Sequence, residues 1–530
     1  MPATGITSPR QMTRFAPPVL APRDAASWDA QASRAGIGLA TLMDAAGRGA
    51  AGVIAARFQS ALSGGVIVAC GTGNNGGDGW VAARALAMAG ASVWVASVPG
   101  ARSELCEGAA RCALADGVRT IAPDGPWPAA TLAVDALLGT GARGAPRADV
   151  AALLDRLREI PGPLVALDGP TGLDLETGVL HGAAHADLSI TFGGPRRGHL
   201  LARDEAGDIV VLDIGLPAPS ETWPRLATDD WAAEQMPVFA AADHKGTRGR
   251  IVLIGGAPGM SGAIRLAARA AFAAGAGYVH AVSSPATIAE LRTAEPDVLT
   301  LDSQLDGPAA GEVLELVSRA DAVVIGPGLG RAEGRREFVT SVLRSARQVV
   351  VDADALTAFQ GRTERLADAV LGRAAVLTPH PGEFRTLVPD LDAAREVDPW
   401  SAAAAAADRL GATVLLKGVP TVIFAPDKSG WTVAAGNPGL GTGGSGDVLS
   451  GICGTFLAQL GDPLRAPVLS AQAMGTAGDI AARRQTARSM RPMDTIAALK
   501  DVWREWALLR GSGHAVRPPL LAELPRPAAT

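Results

Sequence analysis

A chain of 530 residues is too long for one ordinary hydrophobic core, and an apolar share of 48% is enough to fill two. Its net charge of −5 and aromatic content of 4% exclude the basic track and stacking platform of a nucleic-acid binder, so no nucleic-acid partner is expected. Glycine is abundant at 64 residues, yet the glycines fall at the ends of apolar runs with alanine-rich helical stretches between them, the pattern of α/β layering.

At the start of the chain, Arg10, Arg14, Pro17 and Pro18 interrupt any apolar signal core, and Arg265 and Arg269 break the apolar stretch 263–282. Neither a secretion signal nor a membrane span is expected. Cys70, Cys106, Cys112 and Cys453 show no CxxC or His-Cys spacing, which implies reduced thiols and a cytoplasmic location. Residues 25–60 read as helices, with Leu39, Leu42, Met43 and Ala46 on one face ahead of Gly47, and residues 65–70 read as a buried parallel strand. The loop Gly71-Thr72-Gly73-Asn74-Asn75-Gly76 that follows satisfies GxGxxG and leads into a helix expected over 80–89. A bound NAD cofactor would want a carboxylate at the end of the next strand, but residues 93–98 run into Pro99-Gly100. Asn74, Asn75 and Asp78 exceed what a phosphate cradle requires, although each alone could serve as a turn or cap residue.

Three further motifs occupy strand ends: Val134-Asp135-Ala-Leu-Leu-Gly139-Thr-Gly141, Asp168-Gly-Pro-Thr171-Gly-Leu-Asp174 and Thr191-Phe-Gly-Gly-Pro195. Strands ending at Cys70, Asp135 and Asp168 would bring these groups to the carboxyl edge of one parallel sheet, where α/β proteins bind ligands. With the loop 74–79, the ordered set resembles the NAD(P)H-hydrate epimerase family over about residues 25–220. The resemblance implies that Asn74, Asn75, Gly76, Gly77 and Asp78, together with Gly139, Thr140, Gly141, Ala142, Arg143, Gly144 and Ala145, hold a hydrated dinucleotide, with Asp168 as acid/base at the altered ring. It also implies a potassium site at Asn75, Asp135 and Thr171, hard oxygen ligands for a hard cation. Thr171 stands where serine is more usual, and Arg196 where lysine is common.

Residues 217–242, with Pro217, Pro219, Pro224, Asp229 and Asp230, read as a linker between a domain at 1–225 and another at 235–512. The second domain opens with strand 250–254 and a long alanine-rich helix from Met260 to about Gly275. Strands 322–325, 348–351, 375–377 and 413–416 each run into an unusual polar or glycine-rich residue: Gly326-Pro-Gly328-Leu-Gly330, Asp352, His380 and Lys417. In residues 436–451 seven glycines surround Asp447 ahead of an apolar helix, so the first amides of that helix should cradle an anion. The helix dipole should favour a charged Asp447, placed to act as a phosphoryl-transfer base.

Gly443-Gly444-Ser445-Gly446-Asp447 resembles the anion hole and catalytic Asp of the ribokinase-like superfamily. Joined to His244-Lys-Gly246, Gly326–Gly330, Asp352–Leu356, Thr378–Glu383 and Lys417-Gly418, it is similar in order to the ADP/ATP-dependent NAD(P)H-hydrate dehydratase family over about residues 240–510. The resemblance implies that Ala263, Gly328, His380 and Asp447 contact the hydrated nicotinamide nucleotide. Lys417, Gly418, Val419, Pro420, Thr421 and Gly446 would hold the adenine nucleotide, with magnesium. Taken one by one, His380 could fix a turn, Asp354 could cap a helix and Lys417 could be solvated.

The expected architecture is therefore two Rossmann-like three-layer α/β domains, epimerase then ribokinase-like dehydratase. The expected activity is ADP-dependent repair of hydrated NADH and NADPH, with R/S exchange ahead of dehydration, by a homo-oligomer. Three alternatives were weighed: a ribokinase-like vitamin kinase, which would leave 74–79 and 378–383 unexplained; an oxidoreductase, weakened by the missing ribose carboxylate; and a non-catalytic scaffold, against which Asp135, Asp168 and Thr171 stand.

Overall fold

The computed structural model describes residues 16–182, 185–511 and 520–528, so Arg10 and Arg14 lie outside the described residues. Two compact units emerge, Met1–Arg225 with His514–Arg526, and Leu226–Gly513 with Pro527–Thr530.

In the first unit the central strands are apolar runs buried on both faces, which requires helices on each side of the sheet, whereas the edge strand Arg119–Ile121 is largely exposed. Seven parallel strands, β1 (Val66–Cys70), β2 (Val93–Ser97), β3 (Arg119–Ile121), β4 (Leu132–Ala136), β5 (Leu164–Leu167), β6 (Leu188–Phe192) and β7 (Asp208–Leu212), lie in the order β7-β6-β5-β4-β1-β2-β3. The order reverses at β1, so the connections leaving β1 and β4 part to opposite faces and open a crevice at the carboxyl edge. Helices α2 (Leu39–Arg57) and α3 (Asn74–Met88) pack Ala50, Ile54, Trp80 and Leu86 on one face, while Val150, Leu153 and Leu157 cover the other. Ahead of them, α1 (Pro22–Arg34) buries Trp28.

Helix α2 lies within the helical stretch expected over 25–60 and passes through Gly47, where α3 crosses it: a Cβ on Gly47 would lie 2.5 Å from Val81 Cβ and 2.7 Å from the Asp78 carbonyl oxygen. One expectation is corrected here. Helix α3 begins at Asn74 rather than at 80, so Asn74 and Asn75 occupy its first turn. The glycines that argued for a loop are instead where the helix presses on its surroundings, Gly77 against Met43 and Gly79 against Ala136.

The second unit carries a ten-stranded sheet. Seven parallel strands, β9 (Arg250–Ile254), β10 (Tyr278–Ser283), β11 (Leu299–Asp302), β12 (Ala322–Ile325), β13 (Gln348–Val351), β14 (Ala374–Leu377) and β15 (Thr413–Leu416), run in the order β11-β10-β9-β12-β13-β14-β15. Antiparallel β16 (Thr421–Phe424) and β17 (Gly430–Val433) follow, with the two-residue β8 (Arg225–Leu226) at the edge. Helices α4 (Ser261–Ala273) and α7 (Ser445–Leu460) cover one face beside α8 (Arg465–Arg484), while α5 (Ala353–Thr357) and α6 (Pro381–Leu387) start just past β13 and β14. The acidic patch of the expected linker is built in, since Asp229 opens a helix to Gln235 and accepts hydrogen bonds from Gln472, Thr476 and Trp506.

The last strand, β18 (Leu520–Leu524), pairs antiparallel with β7 in the first sheet. Among the described residues no helix is long and apolar enough to cross a membrane.

Candidate active sites

At the reversal point of the first sheet lies a cleft of about 630 Å³, lined by the connection after β1 (Gly71 to Asn75, with Asp78), by residues 137–143 after β4, and by Asp168 and Arg196. Asp168 follows β5 with φ of 62°, a left-handed conformation that non-glycine residues rarely adopt. Its carboxylate explains why the strain is tolerated: Thr140 donates to it from its backbone N at 2.6 Å and from Oγ1 at 2.5 Å, and Arg196 Nη2 donates at 3.1 Å. Burial opposes the charge of Asp168, but Arg196 and Thr140 outweigh it and hold the carboxyl below the usual range. Asp78 goes the other way, since burial and then repulsion from Asp168 and Asp29 push its carboxyl well up. One cleft thus contains two carboxyls whose surroundings push their proton affinities apart, the division that acid–base chemistry uses. Behind Asp168, burial pushes the His199 imidazole down to about 4, and its Nδ1 accepts from the Arg196 amide at 3.0 Å.

Asn75, Asp135 and Thr171 come together under this cleft. Asp135 is fully buried and accepts only from neutral donors, the Leu137 amide at 3.1 Å and the Thr171 amide and hydroxyl, each at 2.8 Å. Burial accordingly pushes its carboxyl up. Asn75 donates through Nδ2 to the Leu138 carbonyl at 2.9 Å, whereas its Oδ1 is buried without a hydrogen-bond partner among the described residues. An orphaned acceptor beside an uncompensated carboxylate suits a cation. Of the other expected contact residues, Asn74, Gly139, Thr140, Gly141, Ala142 and Arg143 line the cleft, whereas Gly76 and Gly77 face protein atoms and Gly144 and Ala145 lie on the exposed loop beyond.

In the second unit the groups converge above the carboxyl ends of β13, β14 and β15. Gly444, with φ of 98°, ends the glycine run and starts α7, which carries Gly446 and Asp447 in its first turn. Lys417 is not solvated: its Nζ donates to Asp352 Oδ1 at 2.9 Å and lies 3.8 Å from Glu383. A Cβ on Gly446 would sit 3.5 Å from that same Nζ, so the ammonium lies beside the first turn of α7. His380 does fix a turn, because its Nδ1 accepts from the Gly382 and Glu383 amides at the start of α6 while Glu383 accepts from the His380 amide. Asp354 does not cap its own helix, since its carboxylate accepts from the Gly330 amide at 2.9 Å and steadies the loop 326–330. Gly328, with φ of 58°, lies against Ala263: a Cβ on it would be 3.0 Å from the Ala263 Cβ. Gly418 and Thr421 close the turn into β16, with Val419 and cis-Pro420 at its tip.

The expectation that the helix start favours a charged Asp447 is reversed. Burial, then repulsion from Asp352, pushes this carboxyl up to about 7, with Lys417 pulling against them. Sequence reasoning also assigned no role to Asp352, Ser450 or Asp479. Asp352 carried the same signal as Lys417, being the first polar residue after an apolar strand. Asp479 carried none: it sits mid-helix on α8 and holds the glycine run by accepting from the Gly436 amide at 3.0 Å and from Asn437 Nδ2 at 2.9 Å.

Comparison with known proteins follows this division. A family model described as YjeF-related protein N-terminus matches residues 39–198, and one described as NAD(P)H-hydrate dehydratase matches 251–501. The bifunctional NAD(P)H-hydrate repair enzyme of Escherichia coli (strain K12) is 37% identical over 446 residues, 82% of this chain and 84% of the relative. That of Moorella thermoacetica is 36% identical over 466 residues, covering 83% and 87%. Among solved structures, an ADP/ATP-dependent NAD(P)H-hydrate dehydratase from Bacillus subtilis co-crystallised with ATP and Mg2+ is 27% identical, covers 53% of this chain and 97% of its own, and has a TM-score of 0.47.

Proposed function

This chain belongs to the bifunctional NAD(P)H-hydrate repair enzymes, and from that membership we propose that Asp168 and Asp447 are the acid/base groups of its epimerase and dehydratase domains. The first domain, proposed as residues 1–225, exchanges the R and S epimers of hydrated NADH and NADPH in the cleft of unit one. Asp168 stands at the altered ring with Asp78 as a second carboxyl whose burial favours its neutral form, and residues 139–143 hold the dinucleotide.

The second domain, proposed as residues 235–512, removes the added water from the S epimer at the expense of ADP. Hydroxide is a poor leaving group, so the ring hydroxyl is first phosphorylated. Asp447 takes the hydroxyl proton as the oxygen bonds to the β-phosphorus of ADP and AMP departs. Lys417 and the amides of residues 443–446 face the negative charge of the transferred group. The ring C–O bond then breaks, phosphate leaves with the electron pair, and loss of a ring proton restores the reduced nicotinamide. The observation that carries this function is a carboxylate pushed up to about 7 in the first turn of a helix that follows a glycine run and lies beside a partly buried, ion-paired lysine. A base whose pKa lies near the working pH is the effective one.

Potassium fits the first domain, because Asn75 Oδ1 lacks a partner and the buried Asp135 has only neutral ones. With Thr171 these residues would hold it, and its charge would compensate Asp135 and tie together the loops after β1, β4 and β5. Magnesium would travel with the nucleotide and neutralise phosphate charge. Among the described residues no group of three or more His, Cys, Asp or Glu could hold a metal, so phosphates and water would supply most of its ligands.

The test is incubation with hydrated NADH and ADP while the absorbance of the reduced ring is followed and nucleotides are resolved. AMP and free phosphate are expected in step with the reduced ring. A stable phosphorylated product would indicate a kinase instead, and recovery of NADH with no adenine-nucleotide turnover would overturn the proposed mechanism.

A further inference from the structure

Asp352 is a carboxylate of the second unit that accepts three side-chain hydrogen bonds and has no role in the chemistry above. It is 1% exposed at the end of β13 and gathers donors from three other parts of the chain. Oδ1 accepts from Thr378 Oγ1 at 2.8 Å, just past β14, and from Lys417 Nζ at 2.9 Å, just past β15. Oδ2 accepts from Ser450 Oγ at 2.6 Å, one turn beyond Asp447 on α7. Burial penalises its charge, but Lys417, Ser450 and Thr378 outweigh the penalty and keep it ionised.

Each of these bonds fixes something the reaction needs. Lysine carries its charge on a flexible four-carbon stem, so a single anchored position requires a fixed counter-charge. The anchored position lies beside Gly446, where a Cβ would be 3.5 Å from Lys417 Nζ and 3.8 Å from Asp352 Oδ2. The Ser450 bond ties the turn that carries Asp447 to the same carboxylate. We propose that Asp352 is the positioning residue of the dehydratase site, holding the Lys417 ammonium against the first turn of α7 and locking that turn through Ser450, so that the phosphoryl group and Asp447 share one frame. This rests on the assignment of Asp447 as base and Lys417 as phosphate contact.

The charged groups facing Asp447 are Asp352 at the end of β13, Asp354 on α5 and Lys417 after β15, and Glu383 on α6 touches it only through Lys417. Removing the Asp352 charge therefore removes the nearest repulsion while loosening the one attraction. Because the repulsion from Asp352 outranks the pull of Lys417, Asp447 should lose its proton at lower pH in Asp352→Asn.

The experiment is steady-state kinetics of the full chain on hydrated NADH with ADP, from pH 5.5 to 9, for the native enzyme, Asp352→Asn, Ser450→Ala and Asp447→Asn. In Asp352→Asn we expect kcat to fall on the order of 10²-fold, as for a misplaced reacting group. KM for ADP should rise, and the acidic limb of the kcat/KM profile should move to lower pH. A packing defect alone would lower activity without moving that limb. Ser450→Ala should lose kcat about 10-fold with its acidic limb in place, as expected when one support of a positioned group is removed. Native kcat with an unmoved limb in Asp352→Asn would overturn the proposal while leaving Asp447 as base. Full activity in Asp447→Asn would instead overturn the assignment on which it rests. Should Asp352→Asn fail to fold, as judged by loss of the thermal transition of the second unit while epimer exchange continues, Ser450→Ala decides: an unchanged kcat there refutes the positioning role.

Discussion

Asp447 shows how one side chain couples activity to stability. Its carboxyl is raised from 3.8 to about 7 in the folded chain, so the protonated form is favoured by folding. The stability tied to that proton is fully present below about pH 4 and is lost as pH rises through 7. With Asp447 as the proposed base, activity should run the opposite way, because a base works only once deprotonated, and kcat/KM should climb through pH 7 to a plateau. Asp447→Asn should therefore lose dehydration by roughly 10²–10⁴-fold. Its unfolding midpoint at pH 8 should be at least as high as that of the native chain, and a marked fall measured by calorimetry would contradict the raised pKa. Asn75 and Asp135 give a second test: potassium should raise the unfolding midpoint of the native chain more than sodium does, and Asp135→Asn should abolish the difference. Equal shifts from both ions in the native chain would rule out the cation site. At this scale Asp168 and Lys417 were legible as polar residues just past apolar strands, and Asp447 as the carboxylate that ends a glycine run at a helix start. Their charge states were not, because these depend on burial and on Arg196 and Asp352, which come from other elements.

Helices and strands were legible wherever periodicity ran unbroken, and the start of α3 was misjudged where glycine intervened. Gly47 and Gly76–Gly79 look like breaks to local propensity, but in the fold they mark where α2 and α3 press on each other and on β4. Gly451 is of the same kind: a Cβ there would lie 2.2 Å from the Ala267 carbonyl oxygen, so α7 and α4 touch backbone to backbone. Gly451→Ala must push the two helices apart, at about 1–3 kcal/mol or more. It should depress dehydration through the displaced first turn of α7 while epimer exchange continues, and coupled assays of both activities check this. The edge strand β18 supports a second element-scale prediction. It pairs with β7 over residues 520–524, Arg203 donates to the Leu524 and Pro525 carbonyls, and the Arg526 amide donates to Asp208. Truncation after residue 511 should expose the β7 edge and lower the temperature at which epimer exchange is lost, with dehydration retained after the same heating. Equal losses of the two activities would mean that β18 does not stabilise the first unit selectively.

In the whole molecule, each unit has its own parallel sheet and its own cluster of polar groups at the carboxyl edge, with a proposed acid/base carboxylate in each, so the two activities should separate by single substitution. Asp447→Asn should leave R/S exchange intact. Asp168→Asn should leave the S epimer consumed at the native rate and the R epimer only as fast as it isomerises spontaneously, so a mixed substrate would give a fast phase followed by a slow one. A chromatographic time course resolving both epimers checks this, and slowed consumption of pure S epimer by Asp168→Asn would mean that the sites are coupled. By itself the sequence determined the α/β class, the two cores and the strand ends at which polar residues gather. Those features depend on hydrophobic periodicity and on residues a few positions apart. Only the tertiary structure decided that Lys417 is clamped by Asp352 across 65 residues, that Ser450 reaches the same carboxylate across 98, that Asp447 holds its proton to about pH 7, and that residues 520–524 complete the first sheet. The strength of each such contact depends on burial and distance between groups far apart in the chain, which local periodicity does not encode.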